Sequence, residues 1–127
     1  MTIQFSKWTI TALAMAVAAP VFAQDSAKVQ SQSYRVVLDN DKVRVLGFTG
    51  KPGMGVCGAG LHSHPGHVTV LLTPAKVKVT VNGKSTMVTG KAGDAFWEPP
   101  VTHETENYGR ADVRSLIIEV KTPASVK

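Results

Sequence analysis

The chain has 127 residues, with 14 Lys and Arg against 9 Asp and Glu, four His, one Cys and 43% hydrophobic residues. That length allows one domain, and the formal charge of +5 is scattered along the chain without a dense basic run or interleaved aromatics, which gives nucleic-acid binding little support. A single cysteine excludes an internal disulfide framework.

Residues 1–23 read as a secretory signal peptide. Lys7 is the only charge before Asp25, residues 8–19 are a continuous apolar run rich in Ala, and Pro20 breaks it. Val21-Phe22-Ala23 then offers small or aliphatic residues where a signal peptidase reads, so cleavage is expected after Ala23. The run is shorter than the roughly 20 residues that span a bilayer, which sets an uncleaved anchor behind the cleaved leader. No Cys follows the cleavage point that would carry a lipid. The expectation is an exported protein, periplasmic or extracellular, without membrane association after cleavage. Removing Lys7 takes the charge from +5 to +4, because residues 1–23 hold no acid.

Residues 24–33 are polar and read as a flexible N-terminal segment. From Tyr34 onward the pattern is β. Strands are expected over 34–38, 42–48, 68–72, 76–81, 84–88, 95–98 and 113–120. Asp39-Asn40-Asp41 and Lys51-Pro52-Gly53 form turns between them. The alternation at 76–81 is the cleanest, with Val77, Val79 and Val81 inward and Lys76, Lys78 and Thr80 in water. Asn82-Gly83 follows as a two-residue hairpin turn of the kind that needs positive φ at both positions. In 113–120, Leu116, Ile118 and Val120 share one face. Short strands with a turn every eight to twelve residues predict an all-β sandwich or barrel. A β domain this small gains from dimerisation, which also covers sheet edges, so a homodimer is expected.

The histidines concentrate the chemistry. Three of the four fall in Leu61-His62-Ser63-His64-Pro65-Gly66-His67, and the fourth is His103. On a strand, His62 and His64 point the same way and can reach one ion. Pro65-Gly66 turns the chain, and His67 re-enters at the start of the next strand. The opposing reading is a polar loop of solvent-exposed histidines. Cys57, in the glycine-rich run 53–60, is either a buried inert thiol or a metal-binding group, and the former is preferred.

The order of these features resembles a cupin: a Gly-rich approach, His62-x-His64, a strand, a hairpin, Gly93-Asp94-Ala95-Phe96-Trp97-Glu98-Pro99, then His103 and Asn107. The resemblance covers residues 34 to 121. It implies a cupin-type double-stranded β-helix (jelly-roll) barrel over 34–122, with a C-terminal tail at 123–127. It carries His62, His64 and His103 over as metal ligands, and His67 as a substitute for the Glu that cupins usually place just ahead of the following strand. The Pro-to-His spacing in the second motif is one residue short, and Val101 stands where a Gly is common.

Imidazole ligands suit one divalent transition metal, Fe, Zn, Cu, Ni or Mn, better than Mg or Ca. Replacing a Glu by His67 leaves more positive charge on the ion and favours an anion or hydroxide beside it. Phe96 and Trp97 read as core or barrel-mouth packing, and Glu104 and Glu106 as surface acids; Glu98 is either a partner behind a ligating imidazole or a surface acid, and the latter is preferred. Asn107 reads as a turn-fixing residue, and Tyr108 as a possible resident of the barrel mouth. The expected partner is a small molecule in the barrel. Three functions remain open: a metal-dependent cupin with oxygenase- or isomerase-like chemistry, as the resemblance implies; a non-catalytic periplasmic metal or small-ligand carrier or sensor; and a structural cupin without metal. With every histidine assigned to the metal, no general base stands out.

Overall fold

A computed structural model describes residues 25–53 and 61–122. The expected signal peptide, the tail at 123–127 and the segment containing Cys57 lie outside the described residues.

The segment read as a loose lead-in contains one helical turn, α1 (Ser26–Val29). Asp25 caps it, its Oδ1 accepting from Ala27 N at 3.0 Å, and the same carboxylate pairs with Arg44 at 2.8 Å. Ser26 and Gln30 are buried. A cap and an ion pair, rather than an apolar stripe, hold this turn down, and hydrophobic periodicity is blind to both.

Nine strands follow among the described residues: β1 (Tyr34–Asp39), β2 (Val43–Gly50), β3 (His62–His64), β4 (His67–Leu71), β5 (Ala75–Val81), β6 (Lys84–Gly90), β7 (Ala95–Glu98), β8 (Val101–Asn107) and β9 (Val113–Val120). They form a five-stranded sheet in the order β1-β2-β9-β4-β7 and a four-stranded sheet in the order β3-β8-β5-β6, with every pair antiparallel. The chain changes sheet after β2, β3, β4, β6, β7 and β8. That repeated crossing is the wrap of a double-stranded β-helix, as the cupin resemblance implies.

The turns form where expected. Asn40 Oδ1 accepts from the backbone N–H of Lys42 and Val43 at 2.8 and 2.9 Å. Asn82 and Gly83 close the β5–β6 hairpin with φ of 49° and 75°, the pair of positive values whose twist matches that of the strands.

Two strands differ from the sequence pattern for one reason: their inward faces carry buried polar residues. In β8, His103 and Asn107 are buried while Thr102 and Glu104 face solvent, so no apolar alternation announces the strand. In β9, Leu116, Ile118 and Val120 do share a face, but it is the outward one. The buried set is Val113, Ser115, Ile117 and Glu119. The apolar core proper is Tyr34, Leu46, Phe48, Val113 and Ile117, backed by Ala27, Ala75 and Val77. It fills the space between the sheets beside the histidine cluster.

Candidate metal centre and barrel cavity

β3 is three residues long, so its two histidines share one face and Ser63 takes the other, where its Oγ lies 2.8 Å from Thr102 Oγ1. β3 pairs antiparallel with β8, which sets His103 directly across from His62. The three imidazoles converge, with ring centroids 4.6 Å apart for His62–His103, 5.1 Å for His62–His64 and 5.6 Å for His64–His103. All three are buried, and one nitrogen from each lies within 4.8 Å of the others. Ligands held at about 2.1 Å from one ion stand about 3.0 to 3.5 Å apart, so the widest pair needs to close by about 1 Å or more.

The donor set fits such an ion. His103 Nε2 is buried without a hydrogen-bond partner among the described residues. Burial, followed by the neighbouring His64, pushes the His103 pKa down to about 4, so the ring is neutral at neutral pH, the form that ligates. His64 Nδ1 lies 2.9 Å from Glu119 Oε1 and 3.4 Å from Ser26 Oγ. Donation of Nδ1–H to the carboxylate leaves Nε2 as the ligating nitrogen, the tautomer a carboxylate behind a metal-bound histidine selects. The Tyr34 hydroxyl lies 3.1 Å from His62 Nε2, and its ring sits 5.5 Å from both the His62 and His64 rings.

Glu119 is itself held. It is 2% exposed, and its Oε2 accepts from Arg44 Nε at 2.6 Å. Burial raises its pKa, but the hydrogen bonds from His64 and Arg44 outweigh burial and leave it below the usual carboxylate value. Arg44 reaches on to Asp25, so an unbroken chain of charge runs from the N-terminal turn to His64.

His67, expected as a fourth ligand, stands beside this group and outside it. Its ring is 4.9 Å from His64, but Nδ1 lies 2.7 Å from Pro65 O and Nε2 lies 3.0 Å from Glu98 Oε2. Both nitrogens therefore face acceptors. Burial alone would lower the His67 pKa, but the hydrogen bonds to Glu98 and Pro65 raise it on balance, and Glu98 is lowered in turn chiefly by its bond to His67. Glu98, for which the sequence favours a surface position over a place behind a candidate ligand, takes the second: it lies on the cavity wall against His67, because β7 pairs with β4 and sets the two opposite each other.

The barrel holds a partly open cavity of about 90 Å³ beside the histidines. Leu71, Val77, Val79, Val88, Phe96 and Ile117 are part of its apolar wall; Thr69, Thr105 and Ser115 supply neutral hydroxyls. Phe96 thus faces the cavity, while Trp97 lies outside, 58% exposed. Trp97 covers Gly66, where an added Cβ would come within 2.9 Å of the indole. Asn107 holds a turn, as expected: Nδ2 donates to Gly50 O and Ala111 O, and Oδ1 accepts from Gly109 N. Tyr108 is exposed and accepts from Lys78 Nζ at 3.2 Å, away from the cavity wall. Glu104 is exposed, and Glu106 pairs with Lys78.

The site residues that sequence reading missed are Tyr34, Arg44 and Glu119. Tyr34 looks like any strand-opening aromatic. Glu119 did leave a signal: it shares strand parity with Val113, Ser115 and Ile117, and an acid on a buried face needs a partner.

No family model matches the sequence, and no curated protein matches it significantly. Solved structures do. A cupin domain from Bordetella pertussis is similar at 22% identity and a TM-score of 0.61, over 70% of this chain and 92% of that one. A conserved protein with a double-stranded β-helix domain from Klebsiella pneumoniae matches at 23% identity and 0.54, over 72% and 78%. A RmlC-like cupin family protein from Methanocaldococcus jannaschii matches at 11% identity and 0.54, over 71% and 80%. The chain has the cupin fold.

Proposed function

We propose that this cupin-fold chain is an exported protein that holds one divalent transition metal on His62, His64 and His103 and binds a small molecule beside it in the barrel. The observation that carries the reading is the convergence of three buried imidazoles on one point, with His64 oriented from behind by the buried Glu119. A bound ion would supply Lewis acidity there. Glu119 and Arg44 fix the tautomer and aim of His64. The apolar wall excludes water around the ligand, and His67 and Glu98 hold a proton between Nε2 and Oε2 at the cavity wall. That pair supplies the proton-handling group absent from the sequence reading, and it supports turnover, of which oxygenase- and isomerase-like chemistry are the forms suggested by the cupin resemblance. A non-catalytic metal or small-ligand carrier or sensor in the periplasm is the second reading; the burial of all three ligands favours it.

The test is metal content by mass spectrometry on mature, untagged protein from the periplasm, beside a His64→Ala variant. About one equivalent of a transition metal, lost in the variant, is expected. No metal in either protein after reconstitution would remove the reading. Iron would direct the search to dioxygen-dependent turnover, and zinc to hydrolysis or ligand binding. We further propose that the chain works as a homodimer, because β1 ends the five-stranded sheet with Val36, Val37 and Leu38 each about half exposed.

A further inference from the structure

The strand registers sort the cavity wall into levels. In the five-stranded sheet, Glu98, His67 and Glu119 share one rung. Two residues on, Phe96, Thr69 and Ile117 share the next, and Leu71 and Ser115 the one after. The four-stranded sheet repeats the gradient: His103 lies across from His62, then Thr105 lies across from Val79, then Val77 is flanked by Asn107 and Val88. Each step of two residues is about 6.7 Å. Every ionisable side chain on the wall other than Tyr34 therefore sits at one end, and the wall beyond is hydrocarbon with a few hydroxyls and no Lys or Arg.

The fixed charges at the histidine end sum to one negative. His67 is paired with Glu98, while Arg44 is shared by Glu119 and Asp25. A dication on three neutral imidazoles would leave a net +1, which one anionic oxygen would balance. A second anionic group on a four-carbon ligand would lie at the next level, among Phe96, Ile117 and Val79, with no cation to meet it, and a buried unpaired charge is strongly disfavoured. A polyol would find only Thr69, Thr105, Ser115 and Tyr34 as hydroxyl partners. Size narrows the class further. A cavity of about 150 Å³ accepts benzene, so about 90 Å³ suits a ligand of about four carbons by simple proportion.

We propose that the barrel takes a short-chain monocarboxylate, its carboxylate at the histidine end and its alkyl tail against Val79, Phe96 and Ile117. The inference rests on the metal reading above and names the ligand class of that site.

Isothermal titration of metal-loaded protein tests it, with butanoate as the probe, succinate as the same length with a second carboxylate, and butan-1-ol as the same tail without charge. Metal content is measured on the same sample. Butanoate is expected to bind at least tenfold more tightly than either control, and to lose binding when the metal is chelated. Val79→Phe, which fills the middle level, and Thr69→Asp, which puts an unmatched carboxylate at that same level, should each weaken butanoate at least tenfold with metal content unchanged. Thr69 is already polar, so that variant keeps the test sound if Val79→Phe does not fold. Succinate or butan-1-ol binding as well as butanoate, no butanoate binding to metal-loaded protein, or full binding by a folded variant would overturn the ligand class and leave the metal site standing. A parent protein that takes up no metal would overturn both.

Discussion

Glu119 has each carboxylate oxygen engaged, one by His64 and one by Arg44. Glu119→Gln keeps the shape and removes the charge that orients the imidazole. Metal affinity is expected to fall by about 10- to 100-fold, read by competition with a chelator. Arg44→Met has a different consequence, because it leaves an ionised carboxylate at 2% exposure without its cation. That loss should cost about 3 kcal/mol of stability, seen as a lower urea midpoint at unchanged m-value. His67 separates a three-histidine site from a four-histidine one. With both ring nitrogens facing protein acceptors, His67→Gln should retain the metal stoichiometry that His64→Ala loses, in metal analysis of the two variants side by side. Loss of metal in both would restore His67 to the ligand set.

The elements show how polar contacts place what hydrophobic pattern does not. α1 is a four-residue helix that no propensity argument would trust alone. It is held by Asp25 through its cap and its pair with Arg44, and it delivers Ser26 to His64. The Arg44 hydrogen bond, opposed by burial, holds the Asp25 pKa below its ordinary 3.8. The sign follows: a lowered carboxylate contributes its full stability above the unfolded pKa and loses it as pH falls through the folded one. Stability from this contact should be flat above about pH 4 and decline below it. Asp25→Asn should lower stability by about 1 to 2 kcal/mol at neutral pH and flatten that acid limb in a series of urea titrations. At the far end of the barrel, β6 closes against β4. A Cβ at Gly90 would stand 2.5 Å from the buried Leu71 Cδ1, so Gly90→Ala should cost about 1 to 3 kcal/mol by thermal unfolding.

Across the whole molecule, the two sheets divide the work. The four-stranded sheet carries His62, His64 and His103; the five-stranded sheet carries His67, Glu98 and Glu119, and the site forms only where the two meet. The outer side of the five-stranded sheet stays apolar, with Leu38, Val45, Ile118, Val68 and Trp97 side by side across its strands. An exposed apolar edge invites pairing with a second copy. Sedimentation velocity should show a dimer for the parent, and Leu38→Lys should shift it toward monomer without loss of metal. A monomeric parent at tens of micromolar would end the dimer reading.

What the sequence by itself determined was the material: alternating valines, Asn82-Gly83 at the hairpin, and histidines spaced so that two share a strand face. These are local properties, dictated by period-two geometry and by which residues tolerate positive φ. They were enough to place most strands and to nominate His62, His64 and His67, with His103 added by the cupin resemblance. Register and sheet crossing are not local. Only the tertiary structure decided that His67 looks to Glu98 across β4 and β7, that Tyr34 lies against His62, and that the inward face of β9 is the one bearing Glu119. A one-residue slip in any of those pairings would have pointed the same side chains at solvent, and no spacing along the chain records which register wins.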